Sequence, residues 1–359
     1  MEVAPKVSRA QSHIPILDQL RGLAALAVCF FHFTNGNRSY LPDGDTLKQI
    51  GSFGWLGVES FFVISGFVIP YSLYLRDYKI HDIGGFTARR LKRLEPPYIA
   101  CIALVIGLHY LSASSAGFKG QVLDLSWQRL AAHIGYLNAI LDYGWLNPVF
   151  WTLAIEFQYY FFIALAYPLL THGRLSVRLA SVLAVALTCL IGGANKALLP
   201  HWLPLFALGM AAFQYHCHKI PGAIFGLLCS MIVVIAWLFV GPLEALVGAA
   251  TALIIVLAKN RSISNWLSPL SWYGIISYSL YLVHVPVGGR VINLCSRVSG
   301  WPSRYAGIVV AFAVSTVAAL AFWWLVERPS QHWAKGKSGS RGAERELTKS
   351  KIGPATSEG

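Results

Sequence analysis

Ten predominantly apolar runs recur along this chain, most of them long enough for a helix to cross a bilayer, which takes about 17–25 residues. They cover residues 15–34, 52–75, 97–113, 149–170, 177–194, 200–215, 221–240, 243–258, 271–290 and 305–326. The fifth, sixth and eighth are short, and Gly241-Pro242 forms the tight turn between the seventh and eighth. Composition agrees: 55% of the 359 residues are hydrophobic and only 13% are charged. A soluble domain carries roughly 25% charged residues, so these charges are too few to coat a soluble protein of this length. Two or three soluble domains, a disordered chain and a disulfide scaffold are excluded. The net charge of +13 does not indicate nucleic acid, because the basic residues sit between apolar runs and form no single stripe. The expected fold is therefore an all-α, polytopic membrane helix bundle of about ten transmembrane helices.

An even number of spans puts both termini on one side. With the N-terminus inside, 21 of the 29 Lys and Arg residues fall in inner segments and 8 in outer ones. The positive-inside rule then makes both termini cytoplasmic. Residues 1–333 form one membrane-embedded domain, and 334–359, polar and rich in Gly and Ser, read as a disordered cytoplasmic tail. The first span has no small-x-small cleavage site after it and is not a cleaved signal peptide. In the longest outer connection, 114–147, the stretch Trp127–Leu141 has helical apolar spacing suited to the membrane surface. The six cysteines show no pairing pattern. The run His216-Cys217-His218 has no further ligand nearby in sequence, so no metal is expected.

Ionisable groups inside spans are costly and are functional candidates by default. Arg21 and His32 are 11 residues apart, which places them on one helix face about 16 Å apart along the axis. Asp18 lies one turn before Arg21, and the small residues Ala25 and Cys29 lie between Arg21 and His32. Such a face could line a narrow channel. Arg21 snorkelling to the inner headgroups and His32 resting in the outer interface would fit the same positions. Glu59 in the second span and Glu156 in the fourth fall, like His32, in the outer half of the membrane. A carboxylate beside a histidine is the arrangement of a general base, and it is also a way to satisfy a buried polar contact. Arg90 and Arg93, spaced i, i+3 in a basic segment ahead of Pro96-Pro97, suit phosphate groups as well as anionic lipid. Tyr278, Tyr281 and His284 share one face of the ninth span, as substrate contacts or as an aromatic belt.

Together these segments resemble the bacterial acyltransferase-3 family of integral-membrane O-acyltransferases, from Leu17 to about Pro329. The blocks occur in the family order. Leu17-Asp18-Gln19-Leu20-Arg21-Gly22 opens the series, followed by the Arg21-to-His32 spacing. Gly57-Val58-Glu59-Ser60-Phe61-Phe62, Arg90 to Arg93, Trp151 to Tyr159, Ser277 to Pro286 and Glu327-Arg328-Pro329 complete it. Glu59 stands where the family often has Asp, Gln19 where it often has Gly, and Phe157 where a second Glu is common. Glu156 is thus the acid of its block.

The resemblance implies a transferase moving an acyl group, acetyl first among them, from acyl-CoA to a hydroxyl of a surface or exopolysaccharide or its lipid-linked precursor. A secondary metabolite such as a macrolide is a further acceptor class, and succinyl or longer chains are further donors. The form expected is the one without a fused extracytoplasmic hydrolase-like domain. His32 would act as base or acyl carrier, with Glu156 or Glu59 orienting it. Arg90, Arg93 and Arg21 would hold the donor, with Arg21 also stabilising developing charge. Trp151, Tyr278 and His284 would contact substrate. Expected partners are the lipid bilayer, a carbohydrate or glycolipid acceptor and other polysaccharide-assembly proteins, with no nucleic acid and no metal. The expected location is the bacterial inner membrane. A glycolipid or metabolite transporter, or a non-catalytic assembly protein, would also use ten charged spans.

Overall fold

The computed structural model describes residues 14–114, 123–192, 195–218, 220–258, 268–297 and 303–335. Those residues are helical with connecting turns, and no strand occurs among them. In hydrocarbon every backbone polar group must be satisfied internally, and helices do this within one segment. The main helices are α1 (Pro15–Asn35), α2 (Gly57–Tyr74), α3 (Ile83–Ala113), α4 (Trp127–Ile134), α5 (Phe150–Leu170), α6 (Leu175–Leu187) and α7 (Leu199–His218). They continue with α8 (Gly222–Phe239), α9 (Pro242–Leu257), α10 (Ser268–Ile275), α11 (Ser277–Val283), α12 (Arg290–Cys295), α13 (Arg304–Phe322) and α14 (Arg328–Lys335).

All ten apolar runs are helical over most of their described residues. Six helices are long and apolar enough to span a membrane, and a seventh arises if the pair bent by 68° between Ile275 and Ser277 is one span. The other three runs differ for separate reasons. α6 and α9 are short, at 13 and 16 residues. α7 has 20 residues but is more polar, carrying His201, Gln214, His216 and His218. It lies in the middle of the bundle against α2, α6, α8 and α9, and most of its residues from Leu199 to Gln214 are buried. A helix surrounded by protein need not show lipid an apolar face. The rings of His216 and His218 pack edge-on against Phe67, Tyr71, Tyr74 and Phe213.

α2 and α7 approach closely enough for backbone to meet backbone. Gly66 of α2 and Gly209 of α7 face each other's backbones: a β-carbon on Gly66 would run into the Phe206 carbonyl, and one on Gly209 into that of Val63. Small residues let membrane helices approach this closely. α1 meets α10 the same way, through Gly22 and Gly274.

The basic segment before Pro96-Pro97 differs from the expectation. The third span does not start at these prolines; α3 begins at Ile83 and runs through them. Each proline lacks an N–H, so the carbonyls four residues earlier, Lys92 and Arg93, lose their helical partners. Ser330 of α14 compensates: its Oγ lies 2.7 Å from the Lys92 oxygen and 2.8 Å from the Arg93 oxygen, sharing its proton between them. Ser330→Ala is expected to cost about 1–3 kcal/mol, because the two acceptors lose their partner in a largely buried site. A lower thermal midpoint in detergent checks this. Pro286 poses the same problem for the Leu282 carbonyl, which Asn147 satisfies from 3.0 Å.

α4 confirms a short helix from Trp127, but it ends at Ile134, well before Leu141. At the other end the chain is helical to Lys335, past the expected start of the tail, and residues 336–359 lie outside the described residues. All six cysteines are free thiols.

Candidate active site

Two cavities hold most of the candidate residues: the one beside Arg21, near the start of α1, is termed inner, and the one beside His32, near its end, outer. The inner is lined from five helices: Arg21 of α1, Phe61 and Ser65 of α2, Arg90 and Arg93 of α3, Thr152, Glu156 and Tyr160 of α5, and Tyr278 and Tyr281 of α11 among others. The outer holds His32 at the end of α1, with Asn37, Ser112, Asn147, Arg290, Asn293 and others. The two share no lining residue.

The inner cavity is basic. Three arginines line it against one carboxylate, Glu156. Arg90 is held on several sides: its Nη2 donates to Ser72 Oγ at 2.8 Å, and its guanidinium lies 5.4 Å from the Phe86 ring centre and 5.3 Å from that of Tyr160. Such cation–π contacts restrict an otherwise flexible side chain. Tyr160, one turn after Glu156, donates its hydroxyl to that carboxylate. Arg21 lies among the charges of Arg93, Glu327, Glu156 and Asp18. Glu327 is 2% exposed. It accepts hydrogen bonds from Ser279 N at 3.1 Å, from Ser279 Oγ, and from Gln331 Nε2 at 2.8 Å. Its position follows from a π-helical turn over Trp323–Glu327, an irregularity often found at functional sites.

Thr152 and Tyr281 line the inner cavity, and their hydroxyls are 2.7 Å apart. Thr152 Oγ1 donates to the Val149 carbonyl at 2.9 Å, so the Tyr281 hydroxyl donates to Thr152. A second π-helical turn, His284–Gly289, follows Tyr281 and sets His284 behind His32. His32 Nδ1 is 3.0 Å from the Val28 carbonyl and 3.1 Å from His284 Nε2. No protein group among the described residues bonds His32 Nε2, although the side chain lines the outer cavity.

Residues 14–328 match the acyltransferase domain that defines the acyltransferase-3 family. The chain belongs to that family. It is 30% identical over 353 residues to the membrane-bound transacylase BcsY of Komagataeibacter xylinus, a match covering 87% of this chain and 81% of BcsY. It is also 31% identical over 172 residues to the O-acetyltransferase OatA of Staphylococcus aureus, covering 45% of this chain and 26% of OatA. No solved structure matches the chain. This protein is thus a multi-pass membrane acyltransferase that transfers groups other than aminoacyl groups.

Several of the residues singled out from the sequence of this acyltransferase come together. Arg21, Arg90, Arg93, Glu156 and Tyr278 converge on the inner cavity. Others do not. Neither glutamate is a hydrogen-bond partner of His32 among the described residues; the partner is His284. Glu156 lies in the inner cavity because α5 turns it toward Arg90 and Tyr160. Glu59 is 1% exposed and lines neither cavity. Trp151 packs in one cluster with the rings of Phe62 and Trp202 and lines neither cavity. His284 is fully buried and lines neither cavity. The channel expected along α1 is closed: Ala25 and Cys29 are fully buried. Tyr160, Ser72 and Asn147 had no assigned role. For Tyr160 a signal existed, since a hydroxyl at i+4 from Glu156 must share its face; Ser72 and Asn147 come from other segments and left none.

Proposed function

We propose that this acyltransferase moves an acyl group, acetyl as the leading case, from cytoplasmic acyl-CoA to a carbohydrate hydroxyl at the outer side of the bacterial inner membrane. The observation that carries the reading is the pairing of a basic inner cavity with an outer cavity where His32 Nε2 has no protein partner among the described residues. Arg90, Arg93 and Arg21 hold the donor's phosphates and set its direction. The amides and hydroxyl of Asn37, Ser112, Asn147 and Asn293 offer donors and acceptors of the kind sugar hydroxyls use. The O-acetyltransferase name of OatA supports both acetyl and an oxygen acceptor.

In the reaction, His32 Nε2 takes the acceptor's hydroxyl proton as its oxygen attacks the thioester carbon. Collapse of the tetrahedral adduct breaks the C–S bond, and the CoA thiolate recovers the proton from His32. The products are an ester and CoA-SH. The two cavities share no lining residue, so the reaction requires the thioester to pass from the inner cavity to His32. The proposed topology has ten spans and cytoplasmic termini, which end-reporter fusions would test.

The direct test is transfer of label from radiolabelled acetyl-CoA to acceptor by purified protein in liposomes. Label release with acceptor supports the reading. Flux of a glycolipid without label transfer would replace it with transport. The double variant Arg90→Ala with Arg93→Ala is expected to raise the KM for acyl-CoA roughly 10–100-fold, from charge-assisted hydrogen bonds of about 1.5–3 kcal/mol. A larger effect on acceptor KM would remove both arginines from the donor site.

A further inference from the structure

His284 belongs to the sequence's Ser277-to-Pro286 block, yet it is fully buried and reaches neither cavity. Its contacts restrict its protons. Nδ1 lies 3.0 Å from the Leu280 carbonyl and 2.8 Å from the Tyr281 carbonyl. A carbonyl oxygen only accepts, so His284 Nδ1 carries a proton. In the neutral ring, Nε2 is then a lone pair. This lone pair is 3.1 Å from His32 Nδ1. His32 Nδ1 is also 3.0 Å from the Val28 carbonyl, a second acceptor. Two acceptors around one nitrogen require a proton there, so His32 Nδ1 donates. With Nδ1 protonated, neutral His32 keeps its lone pair on Nε2, the nitrogen without a partner among the described residues. Both tautomers are assigned here from hydrogen-bond partners.

We infer that His284 is a positioning residue: it fixes His32 in the Nδ1–H tautomer and so presents the Nε2 lone pair to the outer cavity. A base is useful only if its lone pair, not its proton, faces the hydroxyl it must deprotonate. Without His284, the Val28 carbonyl still accepts from Nδ1, but a ring that turns away can protonate Nε2. His284 is thus to His32 what a carboxylate is in other sites, with two backbone carbonyls as the final acceptors. The π-helical turn over His284–Gly289 and the satisfied Leu282 carbonyl hold the ring at that position. The inference rests on His32 being the base of the proposed reaction, but the tautomer itself does not depend on activity.

The test separates the two. Histidine nitrogens are labelled with 15N in the purified full chain in nanodiscs, and the His32 signal among the 11 histidines is identified by its loss in His32→Gln. The wild type should show His32 as Nδ1–H. His284→Leu should show an Nε2–H population at His32, and a kcat lowered about 10–100-fold with the acyl-CoA KM unchanged. His284→Gln, whose Oε1 can accept from Nδ1–H, should restore both the tautomer and most of kcat. Three results overturn the inference: an Nε2–H His32 in the wild type, an unchanged His32 signal in His284→Leu, or a Gln variant as impaired as Leu. If His284→Leu does not fold, the wild-type and Gln spectra decide. A fully active His32→Gln would instead refute His32 as the base, while the spectra still report whether His284 sets the tautomer.

Discussion

Replacing His32 by glutamine is expected to lower acyl transfer by about 10²–10⁴-fold, the usual contribution of a positioned general base. The side chain is only partly buried and reaches the outer cavity, so the substitution removes no core volume and should leave folding intact. Glutamine can still donate an amide proton near Val28 and His284, but it offers no basic nitrogen to an acceptor hydroxyl. The measurement is initial rates of label transfer from acyl-CoA by purified variant and wild type, with matched thermal midpoints. A variant that transfers at the wild-type rate would show that His32 is no base. Loss of transfer with retained CoA release would point instead to a step after thioester attack.

The second large effect is on folding. Gly66→Val should cost roughly 3 kcal/mol or more, because overpacking where two backbones meet cannot be relieved by rotating a side chain. The obstruction is the Phe206 carbonyl, fixed within α7, and Gly209 makes the reciprocal contact with Val63. The variant should give little monodisperse protein in detergent and a clearly lowered thermal midpoint. Gly226→Ala in α8 is the control: its added β-carbon meets nothing within 4 Å, and alanine favours a helix by about 1 kcal/mol. A Gly66→Val protein as stable as this control would mean that α2 and α7 do not pack backbone to backbone.

How far the sequence reaches is clearest at single residues. Arg90 and Arg93 were legible because i, i+3 spacing on a helix puts two side chains on one face whatever surrounds them. The helical runs were legible because the need to satisfy backbone bonds in lipid leaves a signature in apolar length. α7 marks where that signature weakens, since burial among other helices removes the demand for apolar surface. The carboxylate partner expected for His32 failed for a related reason. Depth along a span gives one coordinate of three, and equal depth counted along the sequence did not bring either glutamate to His32.

Local order along the chain was therefore enough to establish the all-helical membrane class, the family and the set of groups that would carry chemistry. It could not say which of them meet. That His284, 252 residues away, sits behind His32, that Tyr160 joins Glu156 to Arg90, and that Ser330 satisfies carbonyls freed by Pro96 and Pro97 depend on how helices rotate and pack. Helical periodicity defines a face; the contacts across the bundle define what that face meets.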